Sequence, residues 1–230
     1  HLSFDSDVFG FPFFRANVSE IDELRQEIEQ LCAFSVDSIA CDAKSNFLDI
    51  ATIDSLKDLG FRKICDQVTC EVSPRNLKVR TDHEVIEATS MSDADIVAHS
   101  SNFTLDRLSL DSRITPKTIK RFYGQWIHNA FSFLGKKVYV LNSGMCIVRQ
   151  EDDTLKIDLV SVLEKRQGLG ARLIDHALAQ AKADGVRLAC VTTEAHNDVA
   201  IRLYEQNGFR EVSRMTCLHL FHLVAHQLPT

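Results

Sequence analysis

Between Lys165 and Phe209 the chain carries two phrases whose residue types and spacing could do chemistry together. The first is Lys165-Arg166-Gln167-Gly168-Leu169-Gly170-Ala171-Arg172, set between a strand-like and a helix-like run. A glycine-rich turn that feeds a helix start gathers backbone N–H groups at the positive end of the helix dipole, which suits a pyrophosphate. Gly168 and Gly170 let that backbone approach an anion with no Cβ in the way. The second phrase is Asn197-Asp198-Val199-Ala200-Ile201-Arg202-Leu203-Tyr204, followed by Gly208-Phe209. Tyr204 follows Asn197 by two helical turns, so both fall on one helix face. Together they outline a coenzyme site with a phenol near its reactive end.

These phrases need elements to hold them. Leu155 to Val162 reads as a strand, with Leu155, Ile157 and Leu159 on one face and Val160 and Val162 on the other. Leu173, Ile174, Ala177, Leu178 and Ala181 recur at helical spacing until Asp184-Gly185. Arg187 to Thr193 is the next strand, Asn197 a helix N-cap, and Gly208 a C′ glycine. A P-loop needs Lys-Ser or Lys-Thr after its last glycine, and a dinucleotide fingerprint needs three glycines; neither is present. Taken singly, the turn is explained as well by an ordinary strand–helix corner, and the second phrase by a capped helix with a half-buried tyrosine. Neither explanation accounts for their occurrence one strand apart.

The paired phrases resemble the Gcn5-related N-acetyltransferase (GNAT) superfamily. Its motif A, Gln/Arg-x-x-Gly-x-Gly/Ala, stands here as Lys165-x-x-Gly168-x-Gly170, with Lys165 the departure. Its motif B, Asn-x-x-Ala-x-x-Leu-Tyr with Gly-Phe after it, is matched from Asn197 to Phe209. The resemblance covers roughly residues 80–220. A narrower similarity, to the dTDP-fucosamine acetyltransferase branch, rests on Phe4 to Gly10, Leu56 to Phe61, Asp106 to Ile114 and Arg121 to Ala130. The last of these, built on Phe122-Tyr123-x-Gln125-Trp126-Ile127, also reads as an amphipathic helix packing Phe122, Trp126 and Ile127. The resemblance implies an α/β (α+β) fold: a central mixed, mainly antiparallel sheet flanked by helices, preceded by a small N-terminal α/β domain. The expected division is residues 1–75 and 79–230, joined at the turn cluster Ser73-Pro74-Arg75-Asn76.

The implied reaction moves acetyl from acetyl-CoA to an amine, in that branch the 4-amino group of a dTDP-linked amino-deoxy sugar for surface polysaccharide. Coenzyme contacts then fall on Val160, Ser161 and Val162, on Gln167, Gly168, Leu169, Gly170, Ala171 and Arg172, and on Asn197. A backbone N–H near Val160 to Val162, where the strand should splay, would bind the oxyanion formed by attack on the thioester. Tyr204, matching the family tyrosine, would protonate the departing thiolate; a phenol of pKa ~10 is protonated at neutral pH. Acceptor contacts are expected from Arg107, Tyr123, Trp126 and Asp158, although each also reads as an ion pair or core packing. The residue that takes the amine's proton is not legible. Two rivals remain: acetylation of another small-molecule or protein amine, and a non-catalytic acyl-CoA-binding module.

Composition bounds these readings. The chain has 230 residues, 45% hydrophobic and 25% charged, with a net charge of -6, which does not suggest a nucleic-acid groove. No apolar run approaches the ~20 residues needed to span a bilayer, and no signal-peptide pattern opens the chain. A start at His1 rather than Met suggests a trimmed or engineered terminus. Seven cysteines, an odd number without C-x-x-C, read as free thiols in a reducing cytoplasm. No metal site is expected: His219, His222 and His226 belong to a terminal strand and polar tail. A nucleotide-sugar acceptor, no nucleic-acid partner, no membrane insertion and a possible homodimer complete the expectation.

Overall fold

The structure is a computed structural model that describes residues 1–34, 38–79, 81–133 and 135–222. Its chain forms two compact units. The first comprises His1–Gln67, Arg107–Thr118 and Arg214–Thr230, and the second Val68–Asp106 and Ile119–Ser213. The expected division at residues 1–75 and 79–230 therefore differs from the compact units. Strand β3 (Arg62–Val72) runs across the division between Gln67 and Val68, and two later stretches of chain return to the first unit.

In the first unit, α1 (Ser3–Phe9) ends at Gly10, whose φ of 78° lets its N–H reach Ser6 O. Strand β1 (Phe13–Arg15) pairs parallel with β2 (Ile39–Asn46). β2 pairs antiparallel with the later part of β9 (Arg210–His222), from Ile39↔His222 to Asn46↔Met215. Helices α2 (Ile21–Phe34) and α3 (Ile50–Asp58) supply Leu24, Ile28, Ile53 and Leu56 to a core with Ala43, Phe61 and Leu218. Asp49 caps α3 by accepting from Thr52 N–H at 3.0 Å.

Beside this core lies a buried charge network. Asp111 takes both Nε (2.8 Å) and Nη2 (2.7 Å) of Arg113, and its Oδ2 is 2.9 Å from Nδ1 of the fully buried His219. A carboxylate can only accept, so His219 carries its proton on Nδ1, and Nε2 accepts from Arg107 at 3.1 Å. Arg15 clasps Asp42 at 3.2 and 3.1 Å. His219 thus stands in a strand, as expected, with burial lowering its pKa against the hydrogen bond it donates to Asp111. His226 lies outside the described residues.

In the second unit the strands run β8-β7-β6-β5-β4, with β3 next to β8. They are β4 (Ile86–Ala88), β5 (Lys136–Leu141), β6 (Gly144–Glu151), β7 (Thr154–Val162) and β8 (Leu188–Glu194). β4 to β7 pair antiparallel, and β7 pairs parallel with β8 through the crossover helix α6 (Leu169–Ala183). This is the mixed, mainly antiparallel sheet with flanking helices expected from the sequence. The β5–β6 hairpin turns at Asn142-Ser143, with Asn142 at φ 49°. Helices α4 (Asp93–Ser100), α5 (Pro116–Ala130) and α7 (Asp198–Gln206) complete the order; α4 is capped by Ser92, which accepts from Asp95 N–H at 3.1 Å. One core takes Leu169, Leu173, Ile174 and Leu178 of α6, Leu155 and Ile157 of β7, and Tyr204 and Phe209.

The expected face assignment along β7 requires correction. Val160 and Val162 pack against the same core as Leu155 and Ile157. Simple alternation cannot put odd and even positions on one face. The β6–β7 register shifts between Ile147 and Val148, pairing Val148↔Ile157 and then Ile147↔Leu159, so Asp158 is an extra residue. This β-bulge reverses the facing of everything after it. No described helix is long and apolar enough to cross a membrane. The six cysteines with described side chains are free, and burial pushes the Cys41 and Cys146 thiols up to about 12.

The charge network makes the first unit sensitive to acid. Burial raises the Asp111 pKa, but hydrogen bonds from Arg113 and His219 outweigh it and hold the carboxyl well below its usual range. A depressed folded-state pKa stabilises above the unfolded value of ~3.9, and that stability is lost as pH falls below it. Asp111→Asn removes the charge at every pH and leaves Arg113 and Arg107 without it. A loss of about 3–5 kcal/mol at pH 7 is expected in urea denaturation, with a flatter acid limb than wild type. Equal stability at pH 7 would contradict the role given to this network.

Candidate functional site

The site begins where β7 leaves its neighbour. The parallel ladder runs from Thr154↔Leu188 to Ile157↔Val191 and stops there, while β7 continues to Val162 and β8 to Glu194. The bulge falls at this same point and increases the local twist. Beyond Ile157 the backbone of β7 therefore lies outside the β7–β8 ladder. Its N–H and C=O groups require partners and suit an extended, amide-bearing ligand added as a strand. Asp158, expected to touch the acceptor, is instead engaged by Arg149 Nε at 2.8 Å and Lys136 Nζ at 3.1 Å.

The glycine turn follows. Gly168 occupies the N-cap position of α6 with φ 71° and no side-chain cap, and Arg166 also has a positive φ of 68°. The first turn of α6 holds no acidic residue. The N–H groups of Leu169, Gly170 and Ala171 precede the first intrahelical bond, Arg172 N–H to Gly168 O at 3.1 Å. A Cβ built on Gly168 would meet nothing within 4 Å, so the space above the turn is open. Gly170 also has a packing role. A Cβ there would stand 3.1 Å from Leu203 Cδ2, so its smallness lets α7 pack against α6. Arg172 is bound to Asp82 at 2.6 and 3.1 Å and also to Glu84, which anchors the helix start. Gln167 donates to Glu164 at 2.9 Å on the surface.

Asn197 caps α7 as expected: Oδ1 accepts from Ala200 N–H at 3.2 Å, and Nδ2 approaches Thr193 Oγ1 at 3.4 Å. Two turns on, the Tyr204 ring is buried in the core that holds Val160 and Val162, edge-on to Phe209 at 5.9 Å. Among the described residues no hydrogen bond reaches the Tyr204 hydroxyl. Burial above all, and then Cys146, Cys70 and Glu194, raise its pKa, so it stays protonated across the physiological range.

The expected acceptor residues separate. Tyr123 stacks between Phe103 (4.2 Å, 21°) and Trp126 (5.9 Å, 10°), forming a file of three nearly parallel rings. Arg107 belongs to the first unit and is held there by His219, Asp42 and Asp5. Sequence reading missed a third group. His99 on α4 lies with Nδ1 2.9 Å from Ser161 Oγ, and Asn102 Nδ2 lies 3.1 Å from that oxygen and 3.3 Å from Val162 O. Their separation of about sixty positions gave no spacing signal to find them.

Residues 120–209 match the acetyltransferase (GNAT) family. No curated protein matches the chain. Among solved structures, a GCN5-related N-acetyltransferase from Sphaerobacter thermophilus is 15% identical over 87% of this chain and 65% of its own, with a TM-score of 0.55. One from Kribbella flavida is 18% identical over 89% of this chain and 77% of its own, with a TM-score of 0.55. A tandem GNAT protein from the clavulanic acid biosynthesis pathway is 14% identical over 87% and 69%, with a TM-score of 0.53. The chain thus spans just under two thirds of the Sphaerobacter protein. The family match is confined to residues 120–209, and the solved structures share the fold of this chain at low identity. None of these similarities points to the dTDP-fucosamine branch.

The open space over Gly168 is testable by filling it. Asn tolerates the left-handed conformation, so Gly168→Asn should keep the fold while placing a side chain where the helix N–H groups face outward. Calorimetry should show acetyl-CoA binding weakened at least tenfold, about 1.4 kcal/mol, with the melting temperature near wild type. Unchanged affinity in the folded variant would remove the turn from the site.

Proposed function

We propose that this chain transfers the acetyl group of acetyl-CoA to the 4-amino group of a dTDP-linked amino-deoxy sugar. One observation supports the transfer above all others. The β7–β8 ladder stops at Ile157, Tyr204 shares one core with Val160 and Val162 of β7 and Leu169 of the α6 turn, and among the described residues no hydrogen bond reaches the Tyr204 hydroxyl. The residues present fit the coenzyme: an acid-free helix N-terminus under open space for its pyrophosphate, and unladdered strand backbone for the amides of its arm. Acetyl-CoA supplies an acetyl group activated as a thioester.

Each protein group then has a task. The N–H groups of Leu169, Gly170 and Ala171 hold negative charge at the α6 terminus. Backbone of β7 between Leu159 and Val162 aligns the acyl chain and turns an N–H toward the carbonyl oxygen, where charge develops. Tyr204, neutral and without a competing hydrogen bond, gives its proton to the departing sulfur. Asn197 holds the start of the helix that carries Tyr204. The finer reading, a nucleotide sugar, is supported by the stacked Phe103, Tyr123 and Trp126, whose outer rings remain partly exposed and could meet a base or sugar face.

Thiol release from acetyl-CoA should be measured with a panel of dTDP- and UDP-linked amino sugars, polyamines and peptide N-termini. Turnover confined to dTDP-amino sugars is the expected result; turnover with another amine would replace the acceptor, and binding without turnover would favour a non-catalytic module. Tyr204→Phe keeps the ring and breaks no hydrogen bond. It should lower kcat by roughly 10²–10⁴-fold with acetyl-CoA affinity and melting temperature nearly unchanged. Full kcat in that variant, with chemistry shown to limit turnover, would end the proton-donor assignment.

A further inference from the structure

Resting on acetyl transfer at β7, we propose that His99 and Ser161 form the proton relay that deprotonates the acceptor amine, with Asn102 holding the relay in its working orientation. The hydrogen-bond pattern leaves one consistent arrangement. Val162 O can only accept, so the Asn102 Nδ2 that approaches it at 3.3 Å is the donor end of the amide. The same Nδ2 donates to Ser161 Oγ at 3.1 Å. Ser161 is 2% exposed and makes no other side-chain hydrogen bond, so the acceptor available to its own proton is His99 Nδ1, at 2.9 Å. His99 is therefore the Nε2–H tautomer with a basic Nδ1. This is the polarity a general base requires: Ser161 Oγ receives the amine's proton as its own passes to Nδ1, leaving a neutral amine to attack and an imidazolium at His99.

Placement agrees with the task. Ser161 alternates with Val160 and Val162, which face the α6 core, so its side chain lies on the opposite face of β7. The coenzyme arm is expected on the α6 side, and an amine must approach the acetyl carbon from the other. The Asp158 bulge sets this facing, since it lies between Ile157 and Ser161. Burial lowers the His99 pKa, which keeps the ring neutral and able to accept. Asp95, one turn back on α4, is the charge that reaches the ring, and its carboxylate steadies the imidazolium once formed. β7 and the loop after α4 present only the neutral Ser161 and Asn102, and α5 meets α4 at Gly124, beside Ile96 and Ser100.

A purely structural role would tie α4 to β7 and nothing more, and three measurements separate the two. Nitrogen-15 NMR of the folded protein should show His99 with Nδ1 unprotonated at neutral pH. A proton on Nδ1 overturns the relay whatever the enzyme's substrate proves to be. His99→Gln should lower kcat at pH 7 by roughly a hundredfold or more and abolish the His99-dependent acid limb of the pH–rate profile. Its deficit should narrow as pH approaches the amine's own pKa. Ser161→Ala should behave alike, and Ser161→Thr, which restores the hydroxyl, should recover most of the rate. Variants that melt earlier but keep kcat and the acid limb overturn the proposal. Acetyl-CoA calorimetry on wild type distinguishes the two levels: absent binding refutes acetyl transfer, and the tautomer still decides the arrangement of the pair.

Discussion

The end of the β7–β8 ladder is the constraint on which the site depends. Backbone amides inside a protein must find partners, and a strand that abandons its neighbour in mid-sheet leaves a row of them to be met otherwise. The bulge at Asp158 makes this departure possible by bending β7 and rotating its later residues. The carboxylate of the extra residue is held by Arg149 and Lys136. One inserted residue thus sets three things at once: the line of exposed amides, the face that Val160 and Val162 turn to α6, and the face that Ser161 turns to α4.

The second support is the tight packing of α6 between the strand exit and α7. A Cβ at Gly170 would crowd Leu203 Cδ2 at 3.1 Å, and Arg172 binds the helix start to Asp82 and Glu84. The start of the helix is consequently rigid where its N–H groups face outward. Asn197 fixes α7 in the same way, so the Tyr204 hydroxyl is placed by packing and capping rather than by a hydrogen bond of its own.

What was legible in the sequence was local. Turn glycines, the Asn197 cap, the hairpin at Asn142-Ser143 and the helical recurrence after Gly168 each follow from interactions within a few residues, and the mixed sheet follows from their order. The bulge was illegible because alternation was read straight through Asp158, where nothing in the residue type marks an insertion. Gly170 was assigned to the anion because the contact that demands it comes from Leu203, a helix away. His99 and Asn102 looked like ordinary polar residues of a helix end, since Ser161 becomes their neighbour only once α4 rests on β7. The compact units differ from the expected division because the sequence shows a linker at Ser73 to Asn76 but not the return of β9 to β2.

That return has a consequence during synthesis. β2 emerges from the ribosome long before the part of β9 that pairs with it, and the buried partners Asp111 and His219 likewise arrive in separate instalments. The β2 segment must therefore wait, with a hydrogen-bonding edge unpaired, until β9 has been translated. Such late, long-range closure slows folding and lengthens the interval in which unpaired strand edges can aggregate.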